Sequence, residues 1–427
     1  MTDYLGALAA RRRIGMRPGL ETIRSVCAAL GDPQRSLRAI HVAGTNGKGA
    51  VCAIIDSCLR AGGLRIGRYT SPHLVRINER FMLDGRPFSD DTLQKYSNIV
   101  HNAISCWGQA TKKRGLSPIE VTFFEALTAV AFAIYADERP DFVVLETGLG
   151  GRLDATNVCE PVLCAITRIG LDHCDWLGDS VEKIAEEKAG IIKPGVPVVL
   201  GRNEPPVVAV VKARADEVGA PFFYAPDLAD ELEIPDGFSL EGAFNRENGV
   251  TALAVLKVLG QLGSALEGFR QVVWPGRFQR VGRFIVDGAH NPPAARALAT
   301  ALGSVLDQKC MLIAGFCGDK DVEETLRMLK PHVARAIAVR TTNPRSLSPE
   351  ALVCRMESAG IPATACETLK DAIDLVESER TTGRENVQSL SPVLICGSLF
   401  LAGESLVELG AYPWGEPRYD PSERLHS

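Results

Sequence analysis

The sequence lacks the features of an exported or membrane-bound protein. Its twelve cysteines form no CxxC pair and lie mostly in apolar runs, so we expect reduced, buried thiols and a cytoplasmic location. The start, MTDYLGALAARRRIGM, has no apolar core of signal-peptide length. The longest apolar stretch, residues 121–135, carries Glu125 and is too short to span a bilayer. We therefore expect a soluble protein with no membrane partner.

A concentrated basic surface is also missing. Charged residues make up 23% of the 427 residues, are interspersed and leave a formal net charge of −5. This argues against nucleic acid as the main partner, because a phosphate backbone needs a dense basic surface. An apolar content of 46% is in the globular range, and the length predicts two or three domains.

Short apolar runs alternate with amphipathic stretches, a pattern typical of a parallel sheet covered by helices. Strands are predicted at residues 39–43, 141–145, 162–167 and 196–200, and again at 284–286, 310–314, 336–339 and 393–396. Helices are predicted at residues 50–61, 180–192, 248–262 and 293–306, with Ser180 as an N-cap. Residues 221–242 are rich in Pro, Asp and Glu and are predicted to be an irregular connection.

A glycine-rich segment, Gly44-Thr45-Asn46-Gly47-Lys48-Gly49, lies between a predicted strand and a predicted helix. Backbone N–H groups and the helix dipole can cradle phosphates there, while the lysine neutralises their charge. The segment departs from a strict Walker A motif, since Val42 occupies the first glycine position and Ala50 leaves no hydroxyl for magnesium. This segment alone is also compatible with a plain tight turn that binds no phosphate.

Two further candidates follow predicted strands. Glu146 ends one apolar run, and His173 lies beyond the next, beside Asp172. Ligands of open parallel sheets bind beyond the carboxyl ends of strands, and a carboxylate, an imidazole and a hydroxyl can share Mg²⁺ with nucleotide phosphates. Taken singly, each residue is equally compatible with an ordinary surface charge or loop histidine.

These segments and others resemble the dihydrofolate synthase/folylpolyglutamate synthase family of the Mur ligase superfamily. The resemblance rests on HVAGTNGKGA, YTSPHLVRINERF, LETGLGGRLDATNV, ITRIGLDHCDWLGDSVEKIAEEKAGIIKPG, WPGRFQRV, DGAHNP, GDKD, TTNPR and CGSLFLAG, which occur in the family's order. It spans residues 4–405. TSPHLVRINER, GLGGRLDATN and EKAGIIK are specific to the folate branch, whereas GTNGKG and DGAHNP are shared with cell-wall ligases.

The resemblance implies an α/β fold with an N-terminal P-loop-type parallel-sheet ATPase domain, residues 1–275, which also binds pteroate. A smaller C-terminal Rossmann-like domain, residues 276–427, follows. The implied activity is ATP-dependent formation of an amide between dihydropteroate, or the γ-carboxylate of folyl-glutamates, and L-glutamate. ATP is thus a substrate, the partners are small molecules, and a monomer is expected.

The resemblance also assigns roles to residues. Gly44 to Gly49 would hold the ATP phosphates, with Asn248, Arg277, Asp287 and His290 gripping the nucleotide. Ser71, Glu146 and His173 would bind the first of two Mg²⁺ ions. Lys188, in EKAGI, would be carbamylated and support the second ion, which requires a partly desolvated, neutral amine. Lys48, Lys188 and His173 are the catalytic candidates, and Pro72, His73, Arg76 and Asp154 are the pteroate candidates. The pattern alone favours a charge on a solvated helix face for Lys188, and the EKAGI motif reverses that preference.

Three departures from the family pattern keep other functions open. Ala50 replaces Ser or Thr, Phe244-Asn245 replaces His-Gln or a related pair with Gln, and residues 197–242 are shorter than usual. A catalytically weakened, nucleotide-binding regulatory protein is one alternative. A Mur-type ligase for another carboxylate and a plain P-loop kinase are the others.

Overall fold

The computed structural model describes residues 6, 8, 11, 19–113, 120–231, 233–318, 321–381 and 391–415. The chain forms two compact units. The first is made by residues 1–73, 77–239 and 247–272, and the second by residues 74–76, 240–246 and 273–427. The predicted α/β class is confirmed, because each unit is a sheet of mainly parallel strands with helices between them.

The sheet of the first unit has eight strands in the order β4-β3-β2-β5-β1-β6-β7-β8. Their bounds are β1 Ala39–Ala43, β2 Ile66–Tyr69, β3 Phe81–Leu83, β4 Arg86–Pro87, β5 Phe142–Glu146, β6 Pro161–Ile166, β7 Val198–Leu200 and β8 Phe222–Tyr224. All neighbouring pairs are parallel except β2-β3 and β3-β4. The central strands β1 and β5 are buried throughout, as expected of a sheet covered on both faces.

Nine helices accompany this sheet in the described residues. They are α1 Glu21–Ala29, α2 Lys48–Ala61, α3 Asp90–Lys113, α4 Phe123–Glu138, α5 Cys174–Leu177, α6 Val181–Ala189, α7 Pro205–Glu217, α8 Ala243–Val258 and α9 Gly268–Gln271. A capping box starts α4, with the Thr122 side chain accepting from the Glu125 N–H and the Glu125 carboxylate accepting from the Thr122 N–H. Ser180 caps α6 as predicted, its hydroxyl accepting from the Lys183 N–H.

Most predicted elements are confirmed, with shifted ends. The helix after the glycine-rich segment begins at Lys48, because Gly47 has a φ of 85° and takes the N-cap position. The helix predicted at 248–262 begins at Ala243 and ends at Val258. The prediction that residues 221–242 are irregular is wrong for Phe222–Tyr224, which pairs with β7. Three aromatic residues form this edge strand, as their β-propensity favours, despite the polar residues that follow.

The second unit is built on a six-stranded sheet in the order β13-β12-β11-β14-β10-β9. Its strands are β9 Gln279–Val281, β10 Phe284–Val286, β11 Cys310–Ala314, β12 Val333–Ala338, β13 Ala363–Ala365 and β14 Val393–Cys396. Its helices, in the described residues, are α10 Pro292–Val305, α11 Val322–Leu329, α12 Pro349–Ser358, α13 Leu369–Thr381 and α14 Leu399–Glu408. Only β9 is antiparallel to its neighbour, so the carboxyl ends of the other strands share one edge.

All twelve cysteines are free thiols. Eight are buried, and burial raises the pKa of seven of these thiols: Cys27, Cys52, Cys58, Cys159, Cys164, Cys310 and Cys396. Three others, Cys106, Cys174 and Cys354, are exposed. Within the described ranges, no helix is both long enough and apolar enough to cross a membrane.

A buried ion pair supports the helix that follows β1. Arg68 donates from Nη1 to Asp56 Oδ2 over 2.9 Å, and both side chains are almost fully buried, at 3% and 1% exposure. Arg60 donates to the other oxygen of Asp56 over 2.8 Å. The carboxylate therefore joins two turns of α2 to β2, and its contact with Arg68 is shielded from water.

We expect Asp56→Ala to lower the free energy of unfolding by about 3–5 kcal/mol, because it removes the carboxylate from a buried guanidinium. The matched control is Glu138→Gln, which weakens the more exposed pair of Arg65 and Glu138 and is expected to cost less than about 1 kcal/mol. Urea unfolding of both variants measures the difference. Equal losses would contradict this account of the pair.

Candidate active site

The glycine-rich segment between β1 and α2 forms a loop that two glycines make possible. Gly44 and Gly47 have φ values of 152° and 85°. A Cβ on Gly44 would lie 1.8 Å from Thr167 Oγ1, and one on Gly47 would lie 2.1 Å from Asn248 Oδ1. Both positions therefore need glycine for backbone conformation and for space. The Asn248 amide, predicted from the resemblance to contact nucleotide, packs directly against this loop.

The loop is attached to the chain segment that follows β6. The N–H groups of Thr45 and Asn46 both donate to the Arg168 carbonyl, over 2.9 and 3.1 Å. Thr167 Oγ1 donates to the Asn46 carbonyl over 2.7 Å. Thr167 and Arg168 are not among the residues predicted from the sequence, although they follow a strand next to β1, where ligand-binding residues collect.

The attachment leaves the start of α2 as the anion-binding part of the loop. The first N–H groups of a helix have no intrahelical partner, and Gly47 offers no side chain to cap those of Lys48, Gly49 and Ala50. Lys48 Nζ donates to the Thr45 carbonyl over 3.3 Å, so its ammonium lies over the same loop. N–H groups, helix dipole and ammonium together favour a bound phosphate.

Glu146 and Ser71 are brought together at the carboxyl edge of the sheet. Glu146 is the last residue of β5 and is 4% exposed. Its Oε2 accepts from the Ser71 backbone N–H over 2.9 Å. The charges of Glu146 and Lys48 both act on the buried Cys52 thiol in α2, which places the carboxylate near the start of that helix.

His173 is positioned more openly. It occupies the N-cap of the short helix α5 with a φ of 50°, and its side chain is 52% exposed. Its backbone N–H donates to Asp172 Oδ1, while its Nε2 lies 3.8 Å from the same oxygen. Throughout the described part of the chain, no group of three or more His, Cys, Asp or Glu side chains could hold a metal ion. The predicted set of Ser71, Glu146 and His173 contains only two side chains of these types, so its binding of magnesium stays a prediction.

Lys188 is the most perturbed amine of the site. It lies in α6 and is 3% exposed. Burial, followed by the nearby charge of Lys48, lowers the pKa of Lys188 to about 7, although Asp172 and Asp154 act in the opposite direction. A substantial fraction of this amine is therefore neutral near pH 7, which is the state that can react with CO₂. The structure excludes the solvated-face alternative for this residue.

The predicted pteroate residues fall into separate environments. Asp154 is buried, and burial raises the pKa of its carboxyl against four hydrogen bonds that favour the anion. Its oxygens accept from Thr156 and from the Leu149 N–H, so the carboxylate organises its own loop. His73 Nδ1 accepts from Arg80 Nε over 2.9 Å, Pro72 is exposed, and Arg76 belongs to the second unit. Their contact with pteroate stays a prediction.

In the second unit, Arg277, Asp287 and His290 lie around the turn after β10. Buried Asp287 accepts from the N–H groups of Phe278 and Ala289, over 2.7 and 2.8 Å. Burial raises the pKa of Asp287, and Arg277 opposes this effect. His290 Nδ1 donates to the Gly288 carbonyl over 2.8 Å. Asp287 and His290 therefore belong to one hydrogen-bonded turn, and the charge of Arg277 acts on the Asp287 carboxyl.

The chain is similar to known proteins over nearly its whole length. The family model described as Mur ligase, glutamate ligase domain, matches residues 276–399. A solved structure, Mycobacterium tuberculosis folylpolyglutamate synthase complexed with ADP and AMPPCP, superposes with a TM-score of 0.84 at 32% identity, covering 96% of this chain and 100% of that one. A nucleotide-binding loop on a parallel sheet, followed by this second domain, defines an ATP-dependent ligase of the Mur type.

Sequence relatives specify the branch. The chain is 32% identical to the dihydrofolate synthase/folylpolyglutamate synthase of Bacillus subtilis, over 94% of this chain and 97% of that protein. It is 33% identical to the protein of the same name from Mycobacterium tuberculosis, over 93% and 91%. A structure of a bifunctional folylpolyglutamate synthase/dihydrofolate synthase with Mn, AMPPNP and L-glutamate bound matches with a TM-score of 0.79 and 30% identity, covering 96% of this chain and 98% of that one. The chain belongs to the dihydrofolate synthase/folylpolyglutamate synthase family.

Gly47 of the phosphate loop can be compared with Gly63, a glycine outside the loop that has the same backbone conformation. Gly47 and Gly63 both have a φ of 85°, but a Cβ on Gly63 meets nothing within 4 Å. We expect Gly47→Ala to weaken MgATP binding at least about tenfold, since the methyl group displaces Asn248 and the loop. Gly63→Ala is expected to lower stability by about 1 kcal/mol with unchanged ATP affinity. Calorimetric titration with MgATP measures the affinity of both variants. Equal ATP affinities in the two variants would contradict a phosphate-binding role for the loop.

The lowered pKa of Lys188 predicts a pH-dependent stability. Between about pH 7 and the ordinary lysine pKa of 10.5, the unfolded chain holds one more proton than the native chain, so the free energy of unfolding rises with pH. Below this window both states are protonated, and the native state bears the cost of a buried ammonium. Lys188→Met removes this dependence, which is on the order of 4 kcal/mol.

Denaturant unfolding in CO₂-free buffer, at intervals from about pH 6 to about pH 10, measures this dependence. The difference between variant and parent is expected to shift in the parent's favour as pH rises. Lys183→Met, at an exposed position of the same helix, is the control and should follow the parent's profile closely. A parent profile as flat as that of Lys188→Met would contradict the lowered pKa.

Proposed function

We propose that the protein uses ATP to join L-glutamate to the carboxylate of dihydropteroate, and to the γ-carboxylate of folyl-glutamates. The observation that carries the proposal is the buried Lys188 amine, whose pKa is lowered partly by the charge of Lys48 in the phosphate loop. A buried amine beside a phosphate-binding lysine suits a site that binds several charged groups at once. The names of the relatives supply the substrates.

The first step activates the acceptor. A carboxylate does not condense usefully with an amine in water, because an oxide or hydroxide ion is a poor leaving group. Attack of the carboxylate oxygen on the γ-phosphorus of ATP breaks the bond to the β-phosphate oxygen, giving an acyl phosphate and ADP. The N–H groups at the start of α2 and the Lys48 ammonium stabilise the negative charge during this transfer.

The second step forms the amide. The neutral amine of glutamate attacks the acyl carbon, and the tetrahedral intermediate expels inorganic phosphate after loss of a proton from nitrogen. Each cycle therefore consumes one ATP and yields one amide, ADP and phosphate. The arrangement needs no covalent bond between enzyme and acceptor, because the phosphoryl group itself provides the leaving group.

Divalent cations fit the residues on this edge of the sheet. Glu146 is a buried, strand-end carboxylate beside Ser71, and carboxylate oxygens are ligands that Mg²⁺ prefers. Lys188 has the partly neutral amine from which a carbamate oxygen ligand can be made. When bound, Mg²⁺ supplies positive charge to the phosphate oxygens. We propose two ions, with His173 completing the first site.

We propose roles for both parts of the chain. Residues 1–275 would bind ATP and pteroate, and residues 276–427 would form the ligase domain. Arg277, Asp287, His290 and Asn248 would contact the nucleotide. We further propose a cytoplasmic monomer, with the free thiols as the supporting observation for the compartment.

A second candidate is a nucleotide-binding protein with weakened turnover. Ala50 lacks a hydroxyl at the third residue of α2. Asn245, in place of the longer glutamine, is fully buried, and its Nδ2 donates to the Glu241 carbonyl over 2.7 Å. This bond takes up part of the amide that a nucleotide contact would use. The loss of one hydrogen bond to a charged group costs about 1.5–3 kcal/mol, which slows an enzyme without abolishing its activity.

ADP release from MgATP, with dihydropteroate and L-glutamate added separately and together, tests the proposal. We expect turnover that requires both substrates and a product heavier by one glutamyl unit, identified by mass spectrometry. A folyl-glutamate acceptor then tests chain extension. Glu146→Gln, which keeps the shape but removes the negative charge, is expected to reduce kcat at least about a hundredfold.

The possible results separate the two candidates. ATP binding without substrate-dependent ADP release would rule out the ligase and support the weakened protein, in which case Ala50→Ser with Asn245→Gln should raise turnover. ADP release with a phosphorylated acceptor and no amide would indicate a kinase instead. Amide formation with a different carboxylate only would point to another Mur-type ligase.

A further inference from the structure

His41 is a buried histidine in β1 that the mechanism above does not use. It is fully buried and lies three residues before Gly44, on the strand that leads into the phosphate loop. Its Nε2 is 2.8 Å from Thr156 Oγ1. Thr156 is itself fully buried and lies in the loop that follows β5, 115 residues further along the chain. One side-chain hydrogen bond thus joins two separate parts of the site.

The direction of this hydrogen bond follows from its neighbours. Thr156 Oγ1 is also 2.5 Å from Asp154 Oδ1, and an ionised carboxylate can only accept. The single hydroxyl proton of Thr156 therefore goes to Asp154, and His41 must donate from Nε2. The Nδ1 of His41 is then a bare acceptor, and it is buried with no hydrogen-bond partner in the described structure.

A bare buried nitrogen makes this histidine costly for stability. Leaving a buried polar atom without a partner destabilises the native state, and an apolar side chain of similar size avoids this cost. Burial, together with the charge of Lys193, lowers the pKa of His41 to about 3, so the ring is neutral and does not act as an acid or base at neutral pH. Donation from Nε2 is the one polar interaction that the ring makes here.

Further hydrogen bonds link Thr156 to the loop that follows Glu146. Asp154 Oδ1 accepts from the Thr156 N–H over 3.0 Å, and Oδ2 accepts from the Leu149 N–H over 2.8 Å. The chain of hydrogen bonds therefore runs from His41 through Thr156 and Asp154 to the backbone just after the strand-end carboxylate. Residues 147–156 are fixed to β1 by side-chain groups as well as by the Thr147 N–H, which donates to the Val42 carbonyl.

We propose that His41 is a positioning residue: through Thr156 it holds the Asp154 turn in register with the phosphate-loop strand, and so controls binding of the carboxylate acceptor but not of ATP. The kinetic part of this proposal rests on the proposed ligase function. The structural part does not, because it concerns only the protection and geometry of residues 147–156.

Kinetics of His41→Leu, Thr156→Val and the double variant test the kinetic part. His41→Leu removes the hydrogen bond between His41 and Thr156, and Thr156→Val removes that bond together with the donation from the Thr156 hydroxyl to Asp154. KM for dihydropteroate is therefore expected to rise about 5- to 30-fold in each variant. KM for ATP should change less than about twofold. The double variant should raise KM for dihydropteroate no further than the more strongly affected single variant does. His41→Gln, whose side-chain amide can donate from near the Nε2 position, should restore most of the affinity.

A matched control separates positioning from general destabilisation. Ser405→Ala removes another fully buried hydroxyl, which donates to the Leu401 carbonyl in α14 over 2.7 Å. It is expected to lower stability without altering KM for the acceptor. Additive effects in the double variant, or equal rises in both KM values, would overturn the proposal. If His41→Leu does not fold, Thr156→Val and His41→Gln still decide between these outcomes.

Amide hydrogen exchange tests the structural part without any activity. The N–H groups of Leu149 and Thr156 are expected to lose protection at least about fivefold in His41→Leu and to regain it in His41→Gln. Nitrogen-15 NMR of the parent should show the Nε2–H tautomer of His41. Unchanged protection or the Nδ1–H tautomer would refute the positioning role. Absence of glutamate-dependent turnover in the parent would instead refute the proposed function and leave this measurement valid.

Discussion

The attachment of the phosphate loop to the Arg168 carbonyl is the constraint on which the candidate site depends. Two N–H groups of the loop, those of Thr45 and Asn46, donate to this one oxygen, and the hydroxyl of Thr167 closes the contact from the other side. These bonds hold the loop against the end of β6. As a result, the start of α2 faces the ligand side with its N–H groups available, and the loop need not be organised by the nucleotide.

Burial of charge is the second organising feature. Glu146, Asp154, Lys188 and Asp287 are all less than a tenth exposed. Backbone N–H groups donate to both aspartates and offset part of the cost of burying their charge. Lys188 is instead buried with a pKa lowered to about 7, so that its amine is partly neutral. Within the first unit, Lys188 therefore provides a partly neutral amine on which the charges of Lys48, Asp172 and Asp154 act.

The sequence predicts the strands well because buried parallel strands are short apolar runs, and it predicts Glu146 and the glycine loop because strand ends collect ligand-binding residues. It does not predict the Arg168 contact, since a backbone carbonyl leaves no mark on residue identity. Nor does it reveal the burial of Lys188, because the charges around it in α6 suggest a solvated face. The sequence also does not predict the edge strand β8, because the Pro, Asp and Glu residues of this region indicate an irregular segment despite the three aromatic residues.

The distribution of buried and exposed thiols determines which cysteines can be labelled selectively. Oxidants and alkylating reagents attack the thiolate, so buried cysteines with raised pKa values are poor targets. Cys106, Cys174 and Cys354 are the exposed positions. Cys174 directly follows His173 at the start of α5. A fluorophore attached there, with the other two exposed positions changed to serine, would sit on the histidine loop itself and report on ligand arrival in real time.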